Sequence, residues 1–309
     1  MKNILDFVVI GAQKSGTTTL FELLKQHKQI FLPTSKEAPF FGRPDMEEKG
    51  WEWYIKEFFS MSNENLMWGT ITPHYMYYPN VAGRLFNVNP KTKIIAILRD
   101  PYSRAYSHFL MSSRRGLEKR SFEDAVKELI SPNSLKDSRN ISTETNSYIV
   151  RGEYGRILSD YKKYFGEGNI LILFMEDLEK YPQDVLNKIY TFLNITEDVP
   201  QGIGQKYHKG SKESKFKFLN TIMWDLKKNR LFMTAVRKIL PASKRKKLWF
   251  KIDQWNIKPP DNNLNQVKED CWDDFLSGDT KEKFRQVYIT DASIFEKEFS
   301  KQFPWKQNL

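Results

Sequence analysis

A buried strand that leads directly into a glycine-bounded loop and a helix constrains the fold of this chain most. Residues Asp6–Gly11 form a short, continuous run rich in β-branched residues, which is typical of a strand buried on both faces. A loop of glycine, serine and threonine follows, and from Thr17 to Gln26 the apolar residues recur at helical spacing. This unit predicts one strand and one helix of an α/β domain.

Two further strand–helix units occur later in the chain. Lys93–Leu98 is a strongly apolar strand, and Pro101 suits the first turn of the helix that comes after it. Asn169–Phe174 predicts a third strand, and Pro182–Leu193 predicts a later helix. Three strands separated by helical segments predict an α/β fold with a central parallel β-sheet flanked by helices.

The chain length of 309 residues suits a single domain over residues 1–309, with a helical C-terminal portion from about residue 216. Between the strands, the polar segment 131–147 is expected to be a loop. Helical patterns are expected over three other segments, Trp51–Phe59, Phe122–Ile130 and Tyr154–Phe165.

The net charge of +11 indicates an anionic partner. Residues 206–217 carry five lysines, and residues 237–251 carry seven lysines or arginines. Anionic glycan, anionic lipid and nucleotide all fit such a charge, and a merely solvated basic face is the alternative for the second run. Nucleic acid is not expected as a partner, because no recognised nucleic-acid-binding module is present.

Cysteine and histidine usage predicts no bound metal. There is one cysteine, and the four histidines lie far apart without ligand spacing. No secretory signal precedes the first strand, and no stretch approaches the roughly 20 apolar residues of a membrane helix. We therefore expect a cytoplasmic protein without an integral membrane segment.

The loop after the first strand has the composition of a phosphate-binding site. Gly11 and Gly16 bracket a tight turn at the positive end of a helix dipole, and Lys14 adds a mobile charge. In a Walker A loop the lysine directly follows the second glycine, whereas here Thr17 does. That placement argues against a P-loop nucleotide kinase, which stays open as an alternative. An ordinary strand–helix turn with a surface lysine is the other.

The motif Gln-Lys-Ser-Gly-Thr-Thr-Thr-Leu at residues 13–20 resembles the 5′-phosphosulfate-binding loop of sulfotransferases that use 3′-phosphoadenosine 5′-phosphosulfate (PAPS). Ile97–Ser107 is similar to their 3′-phosphate-binding strand and helix, and Tyr148–Tyr154 and Ile172–Leu178 resemble later family segments. The resemblance spans roughly residues 5–215 and is closest in style to heparan sulfate or glycosaminoglycan-type and bacterial sulfotransferase domains. It implies the P-loop NTPase-like sulfotransferase fold.

For the donor, the resemblance implies PAPS as substrate and 3′-phosphoadenosine 5′-phosphate (PAP) as product, without a metal. Lys14 is expected to be catalytic, as the cation at the bridging oxygen of the phosphosulfate. Arg99 and Ser107 are expected to hold the 3′-phosphate. The remaining expected donor contacts are Gln13, Ser15, Gly16, Thr17, Thr18 and Thr19, together with Lys209, Lys212 and Lys215 of a later basic loop.

For the acceptor, Lys36-Glu37 followed by Phe40-Phe41 is similar to a glycosaminoglycan-type pattern whose glutamate serves as the base. Burial against the two rings would raise the pKa of Glu37 and suit it to accept a proton. A surface Lys–Glu pair in a loop is the alternative.

Residues 74–77 are expected to line the acceptor cleft, through His74, Tyr75 and Tyr77. Here the chain departs from some glycosaminoglycan enzymes, because Pro39 and Ile71 stand where those enzymes carry a histidine and a lysine. The expected acceptor is a hydroxyl or amine of a carbohydrate or other small molecule, with an anionic glycan as one class. A non-catalytic module that binds nucleotide or anionic glycan on the same scaffold also stays open.

Overall fold

A computed structural model describes residues 2–60, 62–204 and 272–306. Its centre is a five-stranded sheet in the order β2–β3–β1–β4–β5, in which every neighbouring pair is parallel. The strands are β1 (Phe7–Gly11), β2 (Ile30–Phe31), β3 (Met67–Ile71), β4 (Lys93–Leu98) and β5 (Ile170–Phe174). The predicted α/β class with a central parallel sheet is confirmed.

Helices cover the sheet. In chain order they are α1 (Thr17–Leu24), α2 (Pro44–Glu47), α3 (Trp51–Phe59), α4 (Val81–Val88), α5 (Pro101–Arg114), α6 (Phe122–Leu129), α7 (Pro132–Asn140), α8 (Tyr154–Phe165), α9 (Met175–Lys180), α10 (Pro182–Leu193) and α11 (Gly278–Phe299). Short 3₁₀ turns lie at Pro73–Met76, Val150–Gly152, Glu167–Asn169 and Trp272–Phe275. No helix in these described ranges is both long and apolar enough to cross a membrane.

The segment predicted as a loop at residues 131–147 is partly helical, so that prediction was wrong. Ser131 caps α7 by accepting a hydrogen bond from the backbone N–H of Ser134 at 3.2 Å, and Pro132 occupies the first helical turn. Leu135 and Ser138 are buried. A good N-cap and a proline at the first position outweigh the low helix propensity of the polar residues that follow.

The two faces of the sheet belong to separate parts of the core. Val8 and Ile10 of β1 pack with residues of α8 and α11. Phe7 and Val9 of the same strand pack on the other face with residues of α1 and α10. A strand buried on both faces explains the continuous apolar run that predicted β1.

Helices α8 and α11 meet at an unusually close contact. The Asp291 carboxylate on α11 accepts hydrogen bonds from the backbone N–H groups of Gly155 and Arg156, both at 2.8 Å, in the first turn of α8. A Cβ on Gly155 would lie 2.2 Å from the carbonyl oxygen of Asp291. The two helix backbones can approach this closely only because residue 155 is a glycine.

Several sequence predictions fall on residues 205–271, which lie outside the described residues. They concern Lys209, Lys212, Lys215 and both basic runs. The C-terminal portion from about residue 216 was expected to be helical. Its described part is residues 272–306, and most of that part is the helix α11. The single-domain organisation stays a prediction.

Candidate active site

The loops that leave the carboxyl ends of β1, β3 and β4 meet at one edge of the sheet. The backbone N–H of Ala12 donates to the carbonyl oxygen of Ile97 at 2.7 Å, and that of Thr72 donates to Val9 at 3.0 Å. In open α/β sheets, ligands bind in the crevice outside the carboxyl ends of the strands. Most of the residues predicted from the sequence lie on these loops.

We call residues 13–19 the donor loop. Gly16 has a positive φ of 79° and stands at the N-cap of α1, a backbone conformation that suits glycine. At Gly11, an added Cβ would lie 2.8 Å from the Met76 side chain, so the loop can leave β1 only without a side chain there. The helix that follows directs its unpaired first-turn N–H groups toward the loop, which creates an anion site.

Two of the hydroxyl groups that the sequence predicts as donor contacts are buried and have no hydrogen-bond partner among the described residues. They are Oγ of Ser15 in the donor loop and Oγ of Ser107 on α5. Buried polar atoms in native proteins are nearly always paired. The two orphaned hydroxyls therefore fit a ligand that brings its own oxygen acceptors, as a phosphorylated nucleotide would.

Arg99, expected from the sequence to hold the 3′-phosphate, lies beside the donor loop. It is buried, and its Nη1 donates to the carbonyl oxygen of Lys14 at 3.4 Å. Its own carbonyl oxygen accepts a hydrogen bond from the hydroxyl of Tyr154 at 2.9 Å, which anchors the end of β4 to α8.

Asp100 lies just after β4 and caps α5. Its Oδ2 accepts from the backbone N–H of Ser103 at 2.8 Å. The backbone N–H of Asp100 in turn donates to Glu176 at 3.2 Å, and Glu176 also accepts from the indole of Trp305 at 3.1 Å. Through Glu176, Asp100 helps to hold the C-terminal segment that carries Trp305 against the site.

Arg151, which no sequence motif marked as a site residue, joins the donor loop to the opposite side of the site. Its Nη1 donates to Oε1 of Gln13 at 2.6 Å, and its guanidinium lies 3.6 Å from the ring centroid of Tyr77. Its Nη2 donates to the carbonyl oxygen of Thr143 at 3.0 Å. The family-like segment 148–154 contains it, but nothing in its spacing shows what it contacts.

On the acceptor side, Glu37 lies between two nitrogen groups. Nζ of Lys36 is 3.7 Å from Oε1 of Glu37, and Nδ1 of His74 is 3.3 Å from Oε2. Lys36 also donates to Oγ1 of Thr17 at 3.2 Å and to Oγ1 of Thr18 at 2.9 Å. The structure therefore connects Glu37 to the donor loop through one lysine.

The expected direction of the pKa shift at Glu37 was wrong. Burial does raise its pKa, but the hydrogen bond and charge of His74 and the charge of Lys36 outweigh burial and leave the pKa below its usual range. Phe40 and Phe41 are buried in the core. At neutral pH Glu37 is a carboxylate.

The three residues expected to line the acceptor cleft separate into two groups. His74 and Tyr77 are half-buried, and their rings lie 5.6 Å apart. Tyr75 is fully buried, and its hydroxyl accepts a hydrogen bond from the backbone N–H of Phe40 at 2.8 Å. Tyr75 was expected to be part of the acceptor wall, but it presents no surface to a ligand. It supports the segment behind Glu37 instead.

His108 is fully buried on α5. Burial, together with the charge of Arg151, lowers its pKa to about 3, so the ring is neutral. Its Nε2 lies 3.4 Å from Glu144.

Comparisons with known proteins identify the family of this chain. The family described as "Sulfotransferase domain" matches residues 5–238. The membrane-associated sulfotransferase kil1 of Dictyostelium discoideum is 41% identical over 110 residues, which are 35% of this chain and 23% of that protein. The bifunctional heparan sulfate N-deacetylase/N-sulfotransferase 4 of Mus musculus is 30% identical over 203 residues, 62% of this chain and 22% of that protein.

The heparan sulfate glucosamine 3-O-sulfotransferase 5 of Mus musculus is 28% identical over 199 residues, 63% of this chain and 54% of that protein. The chain thus spans between about a fifth and a half of the length of these curated relatives. The crystal structure of a sulfotransferase from Alicyclobacillus acidocaldarius superposes with a TM-score of 0.62 at 19% identity and covers 97% of both chains, which supports the predicted sulfotransferase fold. With the family match covering most of the chain, the protein belongs to the sulfotransferase family.

Proposed function

We propose that the protein transfers a sulfuryl group from PAPS to a hydroxyl or amine of an acceptor. The observation that carries this proposal is the connection between the donor loop and Glu37: an anion-binding loop and a carboxylate meet through Lys36 within hydrogen-bond or ion-pair distance. An anion site beside an ionised acid–base group is what in-line transfer to a hydroxyl requires.

The donor is assigned to the loop and to α5. Gln13, Ser15, Gly16 and the three threonines 17–19 surround the 5′-phosphosulfate on this proposal, and Arg99 and Ser107 hold the 3′-phosphate. The orphaned hydroxyls of Ser15 and Ser107 support it. The assignment of Lys209, Lys212 and Lys215 stays a prediction from sequence.

The transfer step needs one bond made and one broken. The acceptor oxygen or nitrogen forms a bond to sulfur while the bond from sulfur to the bridging oxygen breaks, and that electron pair stays on the leaving 5′-phosphate. Lys14 is assigned to the charge that develops there, and Glu37 to the acceptor proton.

His74 is a second candidate for the proton acceptor. Its Nδ1 faces Glu37, so a proton on Nδ1 would be held by the carboxylate and leave Nε2 as the basic nitrogen. In that arrangement Glu37 orients the base without being it.

A glycan is the proposed acceptor class. Heparan sulfate sulfotransferases are among the relatives, and the net charge of +11 favours an anionic polymer over a neutral one. Nucleic acid is not proposed as a partner, and the cytoplasmic location stays a prediction.

The test is heat stability with two nucleotides. PAP without added metal is expected to raise the unfolding temperature, because a ligand at a hundred times its Kd stabilises the folded state by about 2.7 kcal/mol. ATP with Mg²⁺ is expected to give no comparable rise. The reverse pattern would favour a nucleotide kinase.

Transfer itself separates an enzyme from a binding module. Radiolabelled sulfate from PAPS should appear on N-desulfated or 3-OH-bearing heparan sulfate in a time-dependent manner. PAP stabilisation without label transfer to any glycan or small hydroxyl acceptor would leave the non-catalytic module as the better assignment.

A further inference from the structure

Lys36 makes contacts that the proposed chemistry has not yet used. It lies in the segment between β2 and α2 and is not part of the donor loop, yet its Nζ donates to the side chains of Thr17 at 3.2 Å and Thr18 at 2.9 Å. The same Nζ is 3.7 Å from Glu37. Its side chain is 24% exposed, so solvent screens its charge only in part.

The two threonine hydroxyls have their hydrogen-bond direction fixed by this contact. An ammonium group can only donate, so both hydroxyl oxygens act as acceptors toward Lys36. Each hydroxyl proton must therefore point to another group. Thr17 and Thr18 stand in the first turn of α1, at the positive end of its dipole, where an anion is stabilised. Lys36 thus makes both hydroxyls available as donors to an anionic ligand at the loop.

The charge of Lys36 answers a second need. A carboxylate at Glu37 and an anionic sulfuryl donor repel each other when both occupy the same crevice. The Lys36 ammonium lies between the carboxylate and the threonine hydroxyls of α1, where it attracts both the carboxylate and an anionic donor bound at the loop. Lys14, which belongs to the donor loop itself, is assigned to the leaving phosphate instead.

We propose that Lys36 is a positioning residue that couples the donor loop to Glu37: it orients the Thr17 and Thr18 hydroxyls toward the sulfuryl donor and offsets the negative charge of the carboxylate. This inference rests on the proposed sulfotransferase function and assigns a further residue to that site.

The test uses the full chain with three lysine variants. Lys36→Met keeps the length of the side chain and removes its charge, and Lys36→Arg keeps the charge. Lys25→Met is the matched control, because Lys25 lies at the far end of α1 and pairs with Glu22. PAP affinity is measured by calorimetry, transfer by radiolabelled PAPS, and folding by thermal unfolding.

For Lys36→Met we expect PAP to bind about tenfold to a hundredfold more weakly, the effect of losing charge-assisted hydrogen bonds. We expect kcat to fall as well, while Lys36→Arg recovers most of the PAP affinity and Lys25→Met matches the unaltered protein. The acid limb of kcat/KM should move to higher pH in Lys36→Met, because Lys36 lowers the pKa of Glu37. Among the described residues, His74 is the other titratable group within ion-pair distance of this carboxylate, and it remains in place.

A double-mutant cycle with Thr18→Val distinguishes positioning from mere support of the fold. If Lys36 acts through the hydroxyl, Thr18→Val weakens PAP binding less in the Lys36→Met background than in the unaltered protein. Equal losses of PAP affinity in both backgrounds would overturn the inference. So would a folded Lys36→Met variant whose PAP affinity is within twofold of that of the unaltered protein and whose pH profile is unchanged.

Measurements on the unaltered protein test the proposed function separately from the role of Lys36. If it binds PAP but transfers no sulfate, the proposed reaction fails while the PAP affinities still decide the role of Lys36 at the loop. If the unaltered protein does not bind PAP, the proposed function and this inference both fall.

Discussion

At the scale of single residues, the site is decided by what lies beside Glu37. A glutamate in a partly buried loop ordinarily has a raised pKa, but His74 and Lys36 reverse that effect. Glu37 is consequently ionised over a wide pH range. The ionised carboxylate is the form that can accept a proton, although a low pKa weakens the driving force for that transfer. The neighbouring imidazole of His74 is the second proposed candidate for the proton acceptor.

Replacing Glu37 should separate catalysis from binding. Glu37→Gln is expected to lower kcat by about a hundredfold to ten-thousandfold, the usual contribution of general base catalysis, with PAP affinity kept. Glu52→Gln, on the exposed face of α3, is the control and should leave kcat unchanged. Transfer by Glu37→Gln at the rate of the unaltered protein would remove Glu37 from the mechanism.

The pH profile distinguishes the two candidate bases in the same assay. A base must be unprotonated, and the pKa of Glu37 is below its usual range, so kcat/KM should stay constant from neutral pH down to about pH 5 if Glu37 is the base. An acid limb at clearly higher pH would exclude Glu37 as the base and favour His74, which lies beside it.

The sequence predicted Glu37 and His74 separately, the first as the base and the second as part of the acceptor cleft, but not their contact. The Lys-Glu pair and the two phenylalanines lie within residues 36–41, so a motif could identify them, whereas His74 arrives from the end of a different strand. Arg151 was given no role, for a similar reason. Its partners Gln13 and Tyr77 lie far from it in the chain, and only the fold brings them together.

At the scale of helices and strands, the foundation of the site is the contact between α8 and α11. The Asp291 carboxylate binds the first N–H groups of α8, in the place of an N-cap supplied from another helix. α8 in turn carries Tyr154, which anchors Arg99 through its carbonyl oxygen. α11 is thus connected through α8 to Arg99, the residue predicted to hold the 3′-phosphate.

Gly155→Ala should break this contact. The added methyl group would lie 2.2 Å from the carbonyl oxygen of Asp291 and 2.7 Å from the backbone nitrogen of Phe295, and backbone atoms cannot move aside as a flexible side chain can. We expect the free energy of unfolding to fall by about 3 kcal/mol or more, the upper range for overpacking. Denaturant unfolding measures it.

Gly168→Ala is the matched control for that variant. No atom lies within 4 Å of a Cβ built at Gly168, so its free energy of unfolding should change by no more than about 0.5 kcal/mol. Equal stability of the two alanine variants would contradict the close approach of α8 and α11.

The strands show why sequence patterns found some elements and not others. β1, β4 and β5 are continuous apolar runs, and all three were predicted. β3 contains Gly69 and Thr70, which interrupt the apolar pattern, and β2 has only two residues. The glycine is required by packing, since a Cβ there would lie 2.2 Å from the ring of Phe7. Tertiary contact, which a local pattern does not reveal, selects that residue.

At the scale of the whole molecule, the core continues beyond the segment that matches the family. That match ends at residue 238, but Phe295, Phe299, Phe303 and Trp305 are all buried in the same cluster as Val8 and Ile10 of β1. Without them, one face of the sheet would be open to water on the side of α8. The C-terminal segment is therefore part of the fold that supports the site.

A chain that ends at residue 238 should fail to unfold cooperatively, because it loses this buried aromatic cluster.

In the full chain, Phe295→Ala should stay folded but lose about 3 to 5 kcal/mol of stability. Ile289→Ala, on the partly exposed face of α11, serves as its control. Thermal unfolding followed by circular dichroism measures all three. Cooperative unfolding of the 238-residue chain at the temperature of the full chain would contradict this account of the core.

The strand order divides the proposed chemistry between two halves of the sheet. The donor loop and Arg99 follow β1 and β4, whereas Glu37 and His74 follow β2 and β3. On this proposal, changes in the segment from residue 32 to residue 78 alter acceptor choice without rebuilding the nucleotide site only where they spare the contacts that cross between the halves. Lys36 makes one of those contacts with Thr17 and Thr18, and Tyr77 makes another with Arg151, so a redesign of acceptor specificity must keep a cation at position 36 and the ring at position 77.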